Sequence, residues 1–255
     1  MLLAFDIGNT NIVIGGFSGE SLSFELRLKT DPGRTVDEYG ALIRTLLEQQ
    51  LGQGYSFERC IICSVVPQVT PAIVEFVERC LKLAAYVIGP GTKTGLPIKI
   101  AEPASVGADR VVNALAAKEI YGFPSMVIDF GTATSFDIVG ASGGFEGGVI
   151  APGVLTSLDG LVRNTAKLPR IELVWPKSLI GKNTVAAMQV GAVAGYGCMI
   201  DGLIDGIVAE MGPIPNIIAT GGLGKLFATH SKRIKSYDPH LTLKGMRLIA
   251  EMNHD

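Results

Sequence analysis

The sequence predicts an α/β protein built from two duplicated domains that face each other across a cleft. Apolar strand patterns alternate with helical patterns along the 255 residues. The order strand, Asp, x, Gly, polar turn, strand occurs twice, beginning at Asp6 and again at Asp129. A supersecondary unit that recurs within one chain indicates two related domains. We place the boundary after residue 117, giving domains 1–117 and 118–255.

The composition favours a folded protein with a large core and disfavours nucleic acid as a partner. Hydrophobic residues make up 47% of the chain and charged residues 18%, which excludes a disordered protein. The net charge is −2, so no excess of Lys and Arg is available to neutralise a phosphate backbone. The basic cluster at 230–235 is interpreted as a solvated surface.

Apolar periodicity predicts the elements of the first half. Residues 2–6, 10–17 and 22–30 are expected to form a three-stranded antiparallel start, because 22–28 alternates apolar and polar residues. Residues 35–50 follow with the periodicity of a helix. The remaining predictions are a strand at 60–66, a helix at 67–82, a strand at 85–89, a loop at 89–97 and a helix at 107–121.

The second half repeats the opening arrangement. A strand at 125–129 ends in Asp, as the first strand does, and further strands are predicted at 133–139, 145–150 and 216–220. Helices are predicted at 153–165, at 184–210 and from about residue 240.

The two turns that follow Asp6 and Asp129 have the composition of phosphate-binding turns. Glycine lets backbone amides approach phosphate oxygens, and Thr or Asn adds a donor. An Asp beside a phosphate needs a cation or a metal-bound water as its partner. A third junction, in which a strand is followed by Thr220-Gly-Gly222 and a helix N-terminus, would approach an adenine or ribose. Together these turns predict a metal–triphosphate site and phosphoryl transfer.

The segment Gly107-Ala-Asp-Arg110 lies at a predicted helix start. A helix N-terminus helps to keep Asp109 ionised, and an ionised Asp can accept a proton from an attacking alcohol. Arg110 offers a fork for a substrate carboxylate. The alternative interpretation is an N-capping Asp with a surface Arg.

Cysteine and histidine give no metal pattern. Cys60 and Cys63 form a C-x-x-C, but residues three apart in a strand point to opposite faces, so we expect core positions. Reduced thiols suit the cytoplasm. The histidines at 230, 240 and 254 lack metal-ligand spacing and are expected at the surface.

Two further segments resemble better-known motifs without matching them. Gly89-Pro-Gly-Thr-Lys-Thr94 lacks the P-loop spacing and is expected to be a loop beside the cleft. The uncharged residues 185–200 are too few for a membrane span, and the N-terminus lacks a signal peptide. We therefore expect a cytoplasmic protein without a membrane partner. Small residues at 187, 191, 195, 202 and 206 indicate either packing within the monomer or a symmetric dimer.

The ordered motifs carry a family resemblance along nearly the whole chain. They are Asp6-Ile-Gly-Asn-Thr-Asn11, Ser64-Val-Val-Pro67, Gly89 to Gly95, Gly107-Ala-Asp-Arg110, Asp129-Phe-Gly-Thr-Ala-Thr134, Gly147 to Gly153, Lys182-Asn-Thr184 and Thr220-Gly-Gly222. The sequence resembles the type III pantothenate kinases of the actin, sugar-kinase and heat-shock-chaperone superfamily. The resemblance implies actin-like (ribonuclease H-like) domains with mixed five-stranded sheets flanked by helices.

The resemblance also implies an activity, namely ATP-dependent phosphorylation of pantothenate to 4′-phosphopantothenate, the first step of coenzyme A synthesis. It implies that Asp109 is the proton acceptor and that Thr184 contributes from the other subunit of a homodimer. It further implies that Asp129 binds K⁺ or NH₄⁺, besides Mg²⁺ reached by Asp6 through water. The implied ATP-binding residues are Asp6, Ile7, Gly8, Asn9, Thr10, Asn11, Ile12, Val13 and Thr132, and the implied pantothenate-binding residues are Gly107, Ala108, Asp109, Arg110 and Thr184.

One position departs from the family pattern. Many members carry Tyr seven residues before the Gly of Gly-Ala-Asp-Arg, where this chain has Ile100. An aromatic hydroxyl contact to the substrate is therefore absent or made by another group. Two alternatives to the kinase were weighed: a phosphohydrolase of the same superfamily, in which water replaces the alcohol, and a non-catalytic regulator.

Overall fold

The computed structural model describes residues 1–253, so His254 lies outside the described residues. The chain forms two compact units. Unit 1 comprises Met1–Gly95, Ala104–Ala116 and Thr242–Asp255, and unit 2 comprises Leu96–Pro103 and Ala117–Leu241. Each unit thus takes a short segment from the other half of the sequence, and the single boundary after residue 117 stays a prediction.

The strands and helices are numbered here in chain order. The strands are β1 (Leu2–Ile7), β2 (Asn11–Ser18), β3 (Ser21–Lys29), β4 (Arg59–Ser64), β5 (Ala85–Val87), β6 (Ser125–Phe130), β7 (Ala133–Val139), β8 (Phe145–Pro152), β9 (Asn216–Thr220) and β10 (Ser236–Tyr237). The helices are α1 (Val36–Leu51), α2 (Thr70–Phe76), α3 (Ala108–Tyr121), α4 (Val154–Arg163), α5 (Thr184–Gln189), α6 (Tyr196–Met211), α7 (Gly224–His230) and α8 (Leu241–Met252).

The sheet of unit 1 has the order β3-β2-β1-β4-β5. The strands β1, β2 and β3 pair antiparallel, as predicted for the start of the chain, and β4 then pairs parallel with β1 and with β5. Four of the six residues of β4 are buried, as expected for a central parallel strand covered on both faces. The sheet is therefore mixed, and the ends of β1 and β4 lie side by side.

The sheet of unit 2 repeats this arrangement, with the order β10-β9-β6-β7-β8. The strands β6, β7 and β8 pair antiparallel, and β9 pairs parallel with both β6 and β10. The prediction of two duplicated, mixed five-stranded sheets flanked by helices is confirmed. The residue pattern alone had given only four strands here, because β10 is two residues long and too short to show a period.

Two helices of unit 1 show how the predicted helix ends compare with the observed ones. Thr35 caps α1 in a capping box, in which its hydroxyl accepts from the Glu38 amide while the Glu38 carboxylate accepts from the Thr35 amide. The helix predicted at 67–82 begins only at Thr70, and its last residues, Val77–Leu81, are a π-helical turn that ends at Lys82 with φ of +58°. The periodicity of apolar residues along a sequence cannot distinguish a π-helical turn from an α-helical turn.

Each sheet has its own hydrophobic core. In unit 1, α1 and α2 cover one face of the sheet, where Phe5, Tyr39 and Phe76 are fully buried. In unit 2, the rings of Phe130 and Phe227 stack 4.9 Å apart beneath the sheet. Separate cores of this kind are expected for a duplicated chain, because each unit has to bury its own apolar surface.

Residues 184–211 form a continuous run of α5, a π-helical segment and α6. By length and composition it is the one helix among residues 1–253 that could cross a membrane. The expectation from sequence counted only 16 residues, because it stopped at Asp201. In the structure, Asp201 accepts hydrogen bonds from Ser231 and Lys232, Asp205 pairs with Arg233 at 2.6 Å, and Ile200 is fully buried. The two acids therefore pair with the segment that follows α7, and Ile200 belongs to the hydrophobic core of unit 2.

Candidate active site

The turn between β1 and β2 follows Asp6, as predicted. Asp6 is the only partly exposed residue of an otherwise buried β1. The Gly8 amide donates to the Asn11 carbonyl at 3.0 Å, which closes a turn of four residues between the paired Ile7 and Ile12. A Cβ on Gly8 would lie 3.3 Å from that carbonyl oxygen, so the turn favours glycine here.

Two backbone carbonyls of this turn are bonded to the residue that follows β3. The Thr30 hydroxyl donates to the Gly8 carbonyl at 2.6 Å, and the Thr30 amide donates to the Thr10 carbonyl at 3.0 Å. Thr30 is buried. The backbone of the first turn is therefore bonded to one threonine that no sequence motif singles out.

The turn between β6 and β7 follows Asp129 and is one residue shorter. Its glycine behaves as Gly8 does: the Gly131 amide donates to the Ala133 carbonyl at 3.0 Å. The Thr156 hydroxyl, from the first turn of α4, donates to the Thr132 carbonyl at 2.7 Å. The Gly153 amide donates to the same carbonyl at 3.1 Å. A Cβ on Gly153 would lie only 2.4 Å from that oxygen, so this approach requires glycine.

The Asp129 carboxylate lies against the backbone of the predicted Thr-Gly-Gly junction. Asp129 pairs with Thr220 across β6 and β9. Gly221 has a φ of +82°, and a Cβ there would lie 2.5 Å from Asp129 Oδ1. Unit 2 thus brings together one carboxylate and two glycine turns, which were separate motifs in the sequence.

Tyr196 connects the second hairpin to the helix layer of unit 2. Its hydroxyl lies 2.8 Å from Thr134 Oγ1 and donates to the Pro152 carbonyl at 2.8 Å. Burial raises the pKa of Tyr196, so the phenol keeps its proton and remains a donor. The sequence offered no signal for this role.

The segment Gly107–Arg110 forms the start of α3, as predicted. The Arg110 amide donates to Asp109 Oδ1 at 2.8 Å and also to the Gly107 carbonyl at 3.1 Å. A Cβ on Gly107 would lie 2.5 Å from Asp109 Oδ1 and 3.6 Å from a Val65 methyl. Asp109 therefore sits directly beyond the end of β4.

The pKa of Asp109 is shifted in the direction opposite to the one that the helix start alone would give. We expected the helix N-terminus to favour the ionised form, but burial raises the pKa of the Asp109 carboxyl above its ordinary value. The Arg110 amide and the Arg110 charge act in the opposite direction and lower this pKa, with less effect than burial. A raised pKa suits a general base, whose pKa is best placed close to the working pH.

Asp6 and Asp109 lie around the same buried thiol. Cys63 pairs with Asp6 across β1 and β4 and is fully buried. Burial, followed by the charges of Asp6 and Asp109, raises the pKa of the Cys63 thiol well above its ordinary range. Unit 1 therefore brings the carboxylate of the first turn and the carboxylate of the helix start near the same thiol.

The C-x-x-C pair occupies core positions, as predicted. Cys60 packs in the main core of unit 1, and burial raises the pKa of its thiol to about 12. Among residues 1–253, no group of three or more His, Cys, Asp or Glu side chains could hold a metal ion. His230 is exposed and His240 half-buried.

The P-loop look-alike is a loop bonded to the end of α8. Thr92 Oγ1 accepts from the Gly89 amide, and the Asn253 side chain bonds both the amide and the carbonyl of Lys93. The segment is a loop that leads into no helix, and its exclusion as a phosphate loop stays a prediction.

Thr184 and Ile100, two residues that the sequence related to the substrate, both lie in unit 2. Thr184 is exposed at the start of α5, where it lines an apolar cavity of about 580 Å³. Leu158, Leu161, Met188 and Tyr196 line the same cavity. A methyl group of Ile100 lies 3.5 Å from where a Cβ on Gly147 would be, so Ile100 packs beside β8.

Comparison with known proteins was made on the whole chain. The profile of the family described as type III pantothenate kinase matches residues 2–206. A type III pantothenate kinase from Moorella thermoacetica is 46% identical over 253 residues, which is 99% of this chain and 100% of that protein. A second, from Anaeromyxobacter sp. (strain K), is 45% identical with the same coverage.

Among solved structures, a candidate 2-dehydro-3-deoxygalactonokinase from Sinorhizobium meliloti has a similar fold. The TM-score is 0.63 at 14% identity, over 99% of this chain and 97% of that one. At this identity the likeness concerns the fold alone. The family match, the identity to its members and the order of the site motifs agree, and the chain belongs to the type III pantothenate kinase family.

Proposed function

We propose that this protein transfers the γ-phosphoryl group of ATP to the hydroxyl of pantothenate, giving 4′-phosphopantothenate and ADP. The observation that supports this most is the position of Asp109, which lies in the first turn of α3 and, with Asp6, near the Cys63 thiol. One carboxylate at a phosphate turn and a second at a helix start are what an alcohol kinase needs.

Asp109 is the proton acceptor in this proposal. Its carboxylate takes the proton of the pantothenate hydroxyl as the hydroxyl oxygen bonds to the γ-phosphorus. The bond from that phosphorus to the bridging oxygen breaks, and ADP leaves. General-base catalysis of this kind contributes roughly 10²–10⁴ in rate. The Arg110 amide, bonded to Asp109 Oδ1, fixes the orientation of the carboxylate.

The two hairpin turns bind the phosphates. Residues Asp6 to Val13 and Thr132 supply amides and hydroxyls for this purpose. Mg²⁺ usually keeps several waters and takes few protein ligands beside a nucleotide, which fits the absence of a metal cluster among residues 1–253. Asp6 would hold that ion through water, and the ion would neutralise phosphate charge.

Asp129 would be the ligand for a monovalent cation, K⁺ or NH₄⁺. Its carboxylate lies against Gly221, whose lack of a side chain lets the backbone approach Asp129 Oδ1 closely. A carboxylate is a hard oxygen donor of the kind that would suit a hard cation. Such a cation would supply positive charge near the nucleotide without needing a cluster of acids.

Pantothenate is held by Gly107 to Arg110, with Arg110 on its carboxylate, and by Thr184 of a second copy.

Exposed aliphatic residues on α4 and before α5, such as Leu155 and Ile180, support a homodimer. A Cβ on Gly191, Gly202 or Gly206 would meet no described atom within 4 Å, so these small residues leave room for a second helix. Sedimentation equilibrium tests the dimer, and a monomer at assay concentration would contradict it.

A metabolic kinase of this family works on soluble substrates, so we place it in the cytoplasm. Cell fractionation tests this placement, and recovery in the membrane fraction would contradict it.

The activity is tested by ADP release, measured with pantothenate and with a panel of small hydroxy acids, each with and without K⁺. We expect release to require pantothenate and to rise with K⁺. Release from ATP alone at the same rate would indicate the phosphohydrolase instead. No release with any acceptor, from protein that binds ATP, would favour the non-catalytic regulator.

A further inference from the structure

We propose that Thr30 and Thr156 are matched positioning residues, each of which holds one of the two phosphate turns in its binding conformation. The inference rests on the proposed function, since it concerns how the ATP turns are kept in place. Neither residue belongs to a motif of the sequence, and both were found from their hydrogen bonds.

Thr30 bonds two carbonyls of the first turn, those of Gly8 and Thr10. In a trans peptide the carbonyl and the following amide point in opposite directions. Holding the Gly8 carbonyl toward Thr30 therefore directs the Asn9 amide to the other side of the turn. Because Thr30 is buried, water cannot readily replace its hydroxyl.

Thr156 performs the same task in the second turn. Its hydroxyl bonds the Thr132 carbonyl at 2.7 Å, close to the 2.6 Å of the Thr30 bond to Gly8. The amide that follows Thr132 belongs to Ala133, and it is directed away from Thr156 by the same argument. Thr156 is exposed, so water can partly take over its bond.

The shared geometry points to phosphate. Successive amides that face one side of a turn form a concavity with partial positive charge, which binds anions. A carbonyl that rotated into the same space would present negative charge to the triphosphate. Each threonine hydroxyl opposes this rotation, in the second turn together with the Gly153 amide, which donates to the same carbonyl. Loss of the hydroxyl therefore weakens ATP binding and leaves the acceptor site unchanged.

The test compares isosteric variants. Thr30→Val and Thr156→Val remove the hydroxyl and keep the shape, while Thr30→Ser keeps the hydroxyl. Thr45→Val and Thr229→Val are matched controls, because those hydroxyls also donate to a carbonyl at 2.8 Å but lie within helices away from both turns. The readouts are the KM for ATP, the KM for pantothenate, and the Kd for ATP measured without acceptor.

We expect Thr30→Val to raise the Kd and KM for ATP about two- to tenfold, the range of one lost hydrogen bond, with the pantothenate KM unchanged. Thr156→Val should act in the same direction by a smaller factor, and Thr30→Ser and both controls should match the unmodified enzyme. If Thr30→Val does not fold, Thr156→Val and its control carry the same test.

The proposal is overturned if Thr30→Val and Thr156→Val bind ATP as tightly as their controls, or if both substrates are affected equally. Because the Kd for ATP needs no acceptor, this result is independent of the reaction. An unmodified protein that binds ATP but does not phosphorylate pantothenate contradicts the proposed function and leaves the threonine result standing.

Discussion

The hairpins β1–β2 and β6–β7 share a frame and differ in what surrounds their carboxylates. In both, the first strand is buried except at its Asp, and a glycine two residues later bonds a carbonyl of its own turn. Around Asp6 the protein places a second carboxylate, Asp109, and a buried thiol. Around Asp129 it places glycine backbone, from Gly221.

This difference bears on the two roles proposed above. The strands and the turn glycines that are proposed to bind phosphate occur in both copies. The surroundings of the two carboxylates differ: the proposed proton acceptor Asp109 belongs to unit 1, whereas the backbone of Gly221 lies against the carboxylate in unit 2. The predictions below separate these two roles, beginning with the largest expected effect.

The largest effect is expected at the acid–base group of unit 1. Asp109→Asn should lower kcat by roughly 10²–10⁴ while ATP binds normally, because the amide cannot accept the proton but still accepts the Arg110 hydrogen bond. Single-turnover kinetics and ATP titration measure the two quantities. Full activity in this variant would remove Asp109 from the reaction.

A smaller effect is expected at the backbone contacts of unit 2. Gly153→Ala should destabilise the protein by about 1–3 kcal/mol, because its methyl group would overlap the Thr132 carbonyl. The matched control is Gly160→Ala in α4, where a Cβ meets no described atom within 4 Å and alanine favours the helix. Denaturant unfolding measures both, and equal stabilities would show that the second turn tolerates movement.

The smallest effect concerns pH. Because burial raises the folded-state pKa of Asp109, the folded protein holds this proton more tightly than the unfolded chain does. The stabilisation of the fold by this bound proton is fully present below the ordinary carboxyl pKa. It is lost as the pH rises through the raised pKa of Asp109 in the folded protein. Asp109→Asn should therefore gain stability relative to the unmodified protein between acid and neutral pH. Thermal unfolding across this range measures the difference, and an opposite trend would place Asp109 in a stabilising ion pair.

The duplication could be predicted from the sequence because its signals are patterns of neighbouring residues. Strand periodicity, the Asp-x-Gly turns and the capping residues act within a few positions of one another, so β1 to β4 and β6 to β9 were found where expected. The sequence prediction omitted the fifth strand of the second sheet, β10, because two residues are too few to show the alternation of a strand. Helix α7 was expected after the Thr-Gly-Gly junction but without bounds, since seven residues barely show a helical period.

The site was predictable only where a residue type carries its own chemistry. Asp6, Asp109 and Asp129 could be proposed from their motifs. Thr30 and Thr156 could not, because a threonine acquires its role from a carbonyl that the fold brings to it over 22 or 24 positions. The raised pKa of Asp109 also depends on burial by distant segments. The predicted cleft stays a prediction.

The most direct test of the two-role account is a paired titration of Asp6→Asn and Asp129→Asn with Mg²⁺ and, separately, with K⁺. We predict that Asp6→Asn shifts the Mg²⁺ dependence of ADP release and keeps the K⁺ dependence, whereas Asp129→Asn does the reverse. Equal shifts for both cations in both variants would contradict a division of labour between the two hairpins.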